Sequence, residues 1–208
     1  MKPSSRTIRF QLGAMAPQCQ GIRKCVALAA LIIGASPFAA KLPAQQQKPD
    51  QNQVEAAYIY NFGKFVKWPT TSGTNQNSSF TICVLGEDPY GSILQSVLAG
   101  KFINGIPVTI KRVPQPQDAI DCRILSINTT DERRLREILT DLGPATVLTV
   151  SDMPNFTKRG GMIQFVTDGD RVRFEINRAS SDRAGLVLAS ELLKVATVVR
   201  GAGEAGGH

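Results

Sequence analysis

Phe80-Thr-Ile-Cys-Val-Leu-Gly-Glu-Asp-Pro89 is the stretch that decides the fold of this 208-residue chain. Its largely apolar first part, Phe80–Leu85, predicts a strand buried on both faces. Gly86-Glu-Asp-Pro89 then turns the chain, and Pro89 suits the first turn of a helix running to about Leu98. Gly100 ends that helix, and we expect Asp88 to cap its start. A strand followed by a helix is the repeating unit of a parallel sheet.

The same unit recurs along the chain. Arg123–Ile127 predicts a strand, and Asp131–Leu142 predicts a helix with one apolar face, capped by Thr129 or Thr130. Ala145–Val150 predicts a third apolar strand. Upstream, the apolar spacing of residues 54–68 predicts a helix that Pro69 stops. The predicted fold class is therefore α/β, with a mainly parallel sheet flanked by helices on both sides.

The pattern changes in the last third of the chain. Two strands, Gly161–Thr167 and Arg171–Ile176, flank the hairpin signal Asp168-Gly169 and predict an antiparallel pair. A short helix over residues 178–184 and a terminal helix from Ser190 to about residue 200 follow. The apolar side of the terminal helix has two possible uses, packing on the sheet or forming a dimer face. The sequence thus predicts a C-terminal hairpin and terminal helix.

The charge of the chain belongs to its N-terminal leader. No Asp or Glu occurs before Asp50, yet that stretch carries six of the 24 Lys and Arg residues behind the net charge of +7. Because the remainder is nearly neutral, a nucleic-acid partner is not expected. Arg23-Lys24, an apolar run of about ten residues and then small residues form the order typical of a secretory signal peptide. An uncleaved N-terminal anchor is the alternative.

The leader defines the expected domains and location. Residues 1–44 are predicted to be a signal peptide, 45–53 a disordered arm, 54–200 a single domain and 201–208 a flexible tail. No later segment has the roughly 20 apolar residues that cross a bilayer. We therefore expect a periplasmic protein that does not insert in the membrane after the signal peptide is removed.

The residues needed for several kinds of catalysis are missing. The only histidine is His208, so the sequence excludes Ser-His-Asp hydrolysis and a helical His-Glu-x-x-His zinc site. Neither a phosphate-binding Gly-x-x-x-x-Gly-Lys loop nor a dinucleotide-binding Gly-x-Gly-x-x-Gly motif occurs. We expect no metal site, no cofactor and no enzymatic activity.

Two cysteines remain beyond the leader, Cys83 in the first predicted strand and Cys122 just before the next one. In an oxidising compartment such a pair favours a disulfide, which would make the two strands neighbours. Two buried thiols are the alternative.

The candidate ligand- or partner-binding residues are polar or glycine positions in the last third of the chain: Arg159, Gly160, Gly161, Arg171, Arg173, Glu175 and Asn177. The first three could present a guanidinium and backbone N–H groups to an anion, or simply form a glycine turn. The next three could form a binding stripe or an ordinary solvated strand face. Asn177 could contact a ligand or cap the short helix that follows it.

Five segments, taken in order behind a signal peptide, resemble the YfiR family of small periplasmic proteins: Ala56–Pro69, Ile82–Pro89, Arg159–Ile163, Val172–Asn177 and Ala184–Lys194. The resemblance extends over residues 54–200. It implies a repressor that binds the periplasmic domain of an inner-membrane diguanylate cyclase. Such a repressor lowers cyclic dimeric GMP signalling and biofilm formation and forms a homodimer, and cysteine oxidation state influences its folding.

The resemblance also leaves a different role open. Relatives serving other membrane sensors imply a small-molecule-binding module for a histidine kinase or a transporter. A periplasmic enzyme of unknown chemistry is the remaining alternative, and the absence of an inner histidine in the sequence argues against it.

Overall fold

A computed structural model describes residues 50–69 and 79–199, all within one compact unit spanning Gln46–His208. The helices are α1 (Gln51–Phe65), α2 (Ser92–Leu98), α3 (Glu132–Leu142), α4 (Arg178–Arg183) and α5 (Ser190–Val195). The strands are β1 (Val66–Lys67), β2 (Phe80–Gly86), β3 (Phe102–Ile103), β4 (Ile106–Val113), β5 (Ile124–Asn128), β6 (Leu148–Ser151), β7 (Ile163–Asp168), β8 (Arg171–Asn177), β9 (Val187–Leu188) and β10 (Thr197–Val199). The predicted signal peptide and tail lie outside the described residues.

Eight strands form one sheet in the order β10-β8-β7-β6-β5-β2-β4-β3. The five strands from β4 to β7 across its centre are mutually parallel, and β8 returns antiparallel to β7. The predicted parallel sheet and C-terminal hairpin are confirmed. From β2 the chain first moves outward to β4 and then crosses back to β5 on the opposite side of β2. The direction of winding therefore reverses between β2 and β5.

Helices cover both faces of this sheet. On one face, α1, α2 and α5 pack on alternate strand residues such as Ile82 and Val84. On the other face, α3 packs on the intervening residues, among them Leu85. The ring of Phe62 in α1 lies 5.1 Å from that of Phe174 in β8, in an edge-to-face arrangement. Burying a side chain of this size stabilises the fold by about 1.5–3 kcal/mol.

A disulfide joins Cys83 in β2 to Cys122, two residues before β5. Its Cα atoms are 6.0 Å apart, and the cysteines are 39 positions apart in sequence. Because β2 and β5 are hydrogen-bonded neighbours, the bond adds a covalent tie to one central strand pair. Closing a loop of this length stabilises the fold by about 4 kcal/mol in the chain-entropy model.

Helix α1 is displaced from its predicted position. Three residues assigned to the disordered arm, Gln51–Gln53, are helical. The Gln51 amide donates to Oε1 of Glu55, and the Asn52 amide donates to the Pro89 carbonyl, so contacts outside the local pattern extend the helix. At its other end α1 stops at Phe65 rather than Trp68, because the next two residues pair with β9.

Two further predictions are wrong in detail. The terminal helix ends at Val195, and Thr197–Val199 form β10 beside β8. Three consecutive β-branched residues favour a strand when a sheet edge is available. Helix α3 is capped by Asp131 and not by a threonine, since its carboxylate accepts from the amides of Arg133 and Arg134. None of the helices in the described ranges has the length and apolar character that a membrane crossing needs.

Candidate ligand crevice at the carboxyl edge of the sheet

A crevice opens where the chain reverses its winding. Gly86 and Asn128 are the last register pair of β2 and β5, and the loops that follow them diverge, toward α2 on one side and α3 on the other. In open α/β sheets, ligands bind outside the carboxyl ends of the strands at such a reversal. The crevice has a volume of about 490 Å³. It is therefore the best-placed candidate site in the described part of the fold.

Its walls combine apolar and polar groups. The apolar part consists of Leu85, Pro89, Pro114 and Ile138. The polar part consists of Glu87, Asp88, Asn128, Thr129, Thr130, Arg134 and Asp152. Pockets for small molecules are commonly largely apolar with a few placed polar groups, and this crevice is more polar than that.

The loop after β2 is held in place by Asp88. One carboxylate oxygen accepts from the amides of Tyr90 and Gly91, each at 3.0 Å. The other oxygen accepts from Nε of Arg112 on β4 at 2.7 Å. Asp88 therefore closes the turn and does not cap the helix as predicted, because α2 begins only at Ser92. This bonding ties one wall of the crevice to the neighbouring strand.

Gly86 allows the close approach at the floor of the crevice. Its φ of +90° lies in the left-handed region, and a Cβ there would be 2.1 Å from the carbonyl oxygen of Asn128. Only glycine fits that contact without a backbone shift. The site thus depends on the residue type at the end of β2.

A buried polar pair lies behind the crevice. The carboxylate of Glu55 in α1 accepts from the Tyr90 hydroxyl at 3.2 Å and from the Gln51 amide at 2.9 Å. Burial raises the pKa of Glu55, the Gln51 hydrogen bond opposes that rise, and the negative charge of Asp152 adds to it. The pKa of Tyr90 is also raised, by burial first and then by the Glu55 carboxylate.

Two carboxylates of the crevice have no hydrogen bond or ion pair within the described ranges, those of Glu87 and Asp152. Both are exposed. Asp88 is bound to Arg112, and Arg134 pairs with Glu137 at 3.4 Å. The charge left unbalanced at the crevice is therefore negative. Residues 50–69 and 79–199 contain no group of acidic, cysteine or histidine side chains suited to a metal ion.

Some of the sequence-predicted residues converge around Thr157 and not at the crevice. The Thr157 hydroxyl lies 3.3 Å from Oε2 of Glu175, to which it donates. The Asn177 amide donates to the Thr157 carbonyl at 2.7 Å, and its oxygen accepts from the Ser180 amide at 3.0 Å. Asn177 thus caps α4, which is one of the two roles predicted for it, and it is buried.

Arg159, Gly160 and Gly161 form the turn that leads into β7. The Arg159 guanidinium pairs with Glu132 at the start of α3. Gly160 has a φ of +105°. A Cβ on Gly161 would lie 2.2 Å from the ring of Phe156, so this glycine allows the ring to pack beneath the turn. The glycine-turn alternative accounts for both glycines.

Arg171 and Arg173 lie apart from this group, at the hairpin end of β8. Nε of Arg173 is 3.0 Å from Oδ2 of Asp168, and Arg171 is the register partner of the same residue. Since Arg171 begins β8 and Asn177 ends it, about 20 Å of strand separates them. The predicted residues therefore divide into two groups, and a role for either group in binding a partner stays a prediction.

The crevice residues were not among the sequence candidates. The sequence predicts a loop at Glu87 and a helix cap at Asp88, and Asp152 follows β6 without any motif. Their position in the sequence could have indicated the site, because all three follow apolar strands that are predicted to be parallel. Carboxyl ends of parallel strands meet at one edge, so the loops after them come together.

Two solved structures of low sequence identity are similar to this chain. A Vibrio cholerae O1 biovar El Tor conserved domain protein is similar, with a TM-score of 0.48 and 11% identity over 69% of this chain. The ABC domain in complex with L-Trp from Streptococcus pneumoniae gives a TM-score of 0.47 and 14% identity over 71% of this chain. This chain spans 59% and 60% of those two chains.

The family model described as DUF4154, YfiR/HmsC-like, matches residues 52–197, which include every described element of the chain except the start of α1 and the end of β10. The match covers well over half of the sequence and agrees with the resemblance found in the five sequence segments. The chain belongs to the YfiR/HmsC-like family.

Proposed function

We propose that this protein is a periplasmic regulator that binds the exported domain of an inner-membrane diguanylate cyclase and holds the enzyme inactive. Release of the protein raises cyclic dimeric GMP and favours biofilm formation. The protein acts by stoichiometric binding, since a partner that binds one state of a sensor more tightly shifts the sensor toward that state. It carries out no bond-making reaction of its own.

The observation that carries this proposal is the family match over residues 52–197. A second observation is consistent with it. The Cys83–Cys122 disulfide joins two central strands, and structural disulfides persist in oxidising compartments outside the cytoplasm. The leader also supports export, because its basic, apolar and small residues follow the order of a secretory signal peptide.

The exposed arginines at the β7–β8 hairpin offer a docking surface for the partner. The side chains of Arg173 and Asp168 are 52% and 69% exposed, so their ion pair adds little to stability and can be exchanged for a partner's carboxylate. Arginine is enriched at the energetically dominant positions of interfaces. The protein docks as a homodimer, so each assembly presents two such surfaces.

The test is a pull-down from membranes with the purified protein as bait, carried out with and without reductant. Recovery of a transmembrane diguanylate cyclase is expected, with less recovered after reduction of the disulfide. The double variant Arg171→Ala/Arg173→Ala should retain less cyclase than the parent. A matched double variant on the exposed face of α3, Arg133→Ala/Arg136→Ala, should retain as much as the parent. Recovery of no cyclase at near-native protein levels contradicts the proposal.

A second function is favoured by the carboxyl-edge crevice. A small-molecule-binding module for a histidine kinase or a transporter needs a concave, partly apolar site, and the crevice of about 490 Å³ meets that need. Recovery of a kinase or transporter in place of a cyclase in the same pull-down supports this function.

A further inference from the structure

We propose that the crevice at the carboxyl edge of the sheet binds a small organic cation, a molecule with a protonated amine and an apolar body. The inference concerns the ligand class of this crevice and does not depend on which membrane protein is the partner. It is drawn from the position of the crevice, the charge on its walls, its apolar surface and the rigidity of its floor.

Glu87 follows β2, Asp152 follows β6, and β5 lies between those two strands in the sheet. Neighbouring strands are about 4.8 Å apart, so the backbones that carry the two carboxylates are separated by about 9.6 Å. That spacing leaves room for a small molecule between the two loops, above Asn128.

The wall charges favour a cation. Asp88 is neutralised by Arg112, and Arg134 is paired with Glu137. Glu87 and Asp152 have no such partner within the described ranges. The amides at the start of α3, which could attract an anion, are already bound by the Asp131 carboxylate. The charged side chains of the lining are three carboxylates, Glu87, Asp88 and Asp152, and one guanidinium, Arg134, so an ammonium group is favoured over an anion.

The apolar part of the lining fits the hydrocarbon part of such a ligand. Most of the accessible apolar surface belongs to the exposed rings of Pro89 and Pro114, and Leu85 and Ile138, each only 2% exposed, complete the lining. Covering a hydrocarbon group with such surfaces makes the free energy of binding more favourable, whereas an inorganic ion has no apolar surface to bury. An amine with a ring or a branched chain therefore matches both parts of the site, and a bare metal ion matches only one.

The floor and one wall are preorganised. The contact between Gly86 and the Asn128 carbonyl fixes the end of β2 against β5, and the Asp88–Arg112 pair holds the loop that carries Glu87. A site that is already ordered loses less conformational entropy when its ligand binds. The chain thus maintains the shape of the crevice through its own hydrogen bonds.

The experiment is an NMR titration of the purified protein with three phenyl-bearing probes of similar size: 2-phenylethylamine, 2-phenylethanol and 3-phenylpropionate. We expect the amine to shift the backbone amide signals of Gly86, Asn128 and Thr130 in a saturable way. The alcohol and the acid should leave them unmoved. Losing a charge-assisted contact should weaken amine binding about tenfold in Asp152→Asn and in Glu87→Gln.

Glu191→Gln removes an exposed carboxylate on α5, away from the crevice, and should bind the amine as the parent does. Three results overturn the proposal. The first is an absence of crevice shifts at about 10 mM amine, which excludes even millimolar affinity. The second is equal binding of the acid and the amine. The third is unchanged affinity in both crevice variants. None of these results bears on the membrane pull-down, so the two proposals fail separately.

Discussion

The Tyr90 hydroxyl donates to Oε2 of Glu55 at 3.2 Å, and both residues are only 2% exposed. This bond joins the loop after β2 to helix α1, just behind the crevice. The other donor to the carboxylate is the Gln51 amide, so both of its described donors are neutral. When a buried carboxyl group has only neutral hydrogen-bond partners, burial disfavours its ionised form. The stability of the protein should therefore depend on pH.

The pH dependence of stability should change in Glu55→Gln. Burial raises the pKa of Glu55 above its ordinary value of 4.5, with Asp152 and Asp50 adding to the rise. The folded protein thus keeps a proton that the unfolded chain releases, so this group's contribution is full at low pH and is lost as the pH rises through the folded-state pKa. Urea unfolding between about pH 4 and about pH 8 should show the variant gaining stability relative to the parent.

Glu191→Gln is the control for that series, because it removes an exposed carboxylate. A difference between Glu55→Gln and the parent that stays constant over the pH series would show that the Glu55 carboxylate ionises alike in the folded and unfolded chains. That result would contradict the burial argument.

Tyr90→Phe should destabilise the protein by about 1–3 kcal/mol, because it leaves the buried Glu55 carboxylate with one donor fewer. Tyr60→Phe is the matched control. Its hydroxyl donates to the Phe102 carbonyl at 3.1 Å on the surface, where water can replace it, so we expect a loss of about 0.5 kcal/mol or less. Urea denaturation measures both. Equal losses in the two variants would show that burial adds nothing to the Tyr90 bond.

Gly86→Ala should be among the most damaging single substitutions in the described chain. Its Cβ would meet the Asn128 carbonyl oxygen, a backbone atom that cannot move without distorting β5. Gly169→Ala is the control, since Gly169 also has a positive φ but has open space around its Cβ position. We expect a loss of about 1–2 kcal/mol for the control from conformation alone and a clearly larger loss for Gly86→Ala. Thermal unfolding that ranks them in the opposite order rejects the close contact.

The disulfide should be visible in mass and in stability. Under non-reducing conditions the intact mass should be lower by two hydrogens than after reduction of Cys83 and Cys122. Reduction should then lower the free energy of unfolding by about 4 kcal/mol. Equal masses before and after reduction would show that the two thiols are free. An unchanged unfolding midpoint after verified reduction would contradict the stabilising role.

The alternation of apolar strands and amphipathic helices was sufficient to predict the parallel sheet. Phe80–Leu85 and Ala145–Val150 carry their hydrophobicity in the local sequence, and their burial follows from it. The chain beyond Val195 could not be predicted in this way. Thr197–Val199 become a strand only because β8 offers them an edge, and that edge is a tertiary feature. The helical state of Gln51 could not be predicted from local sequence either, because its side chain is held by the Glu55 carboxylate.

The site was harder to predict than the fold for a related reason. Arg173 lies within a predicted strand and Asn177 directly follows it, but in the structure Arg173 is toward the hairpin end of β8 and Asn177 is at its other end. Glu87 and Asp152 are 65 positions apart in sequence and line the same crevice only because β2 and β6 flank β5. A strand order is needed to bring them together, and local patterns do not supply it.

The most direct measurement of the central proposal is the rate of cyclic dimeric GMP synthesis by membranes that contain the captured cyclase. The purified protein is added from the periplasmic side in increasing amounts. We expect synthesis to fall to a low plateau near one bound protein per cyclase subunit, and Arg171→Ala/Arg173→Ala to shift the curve to higher concentrations. A rate that stays constant across the whole titration contradicts repression by binding.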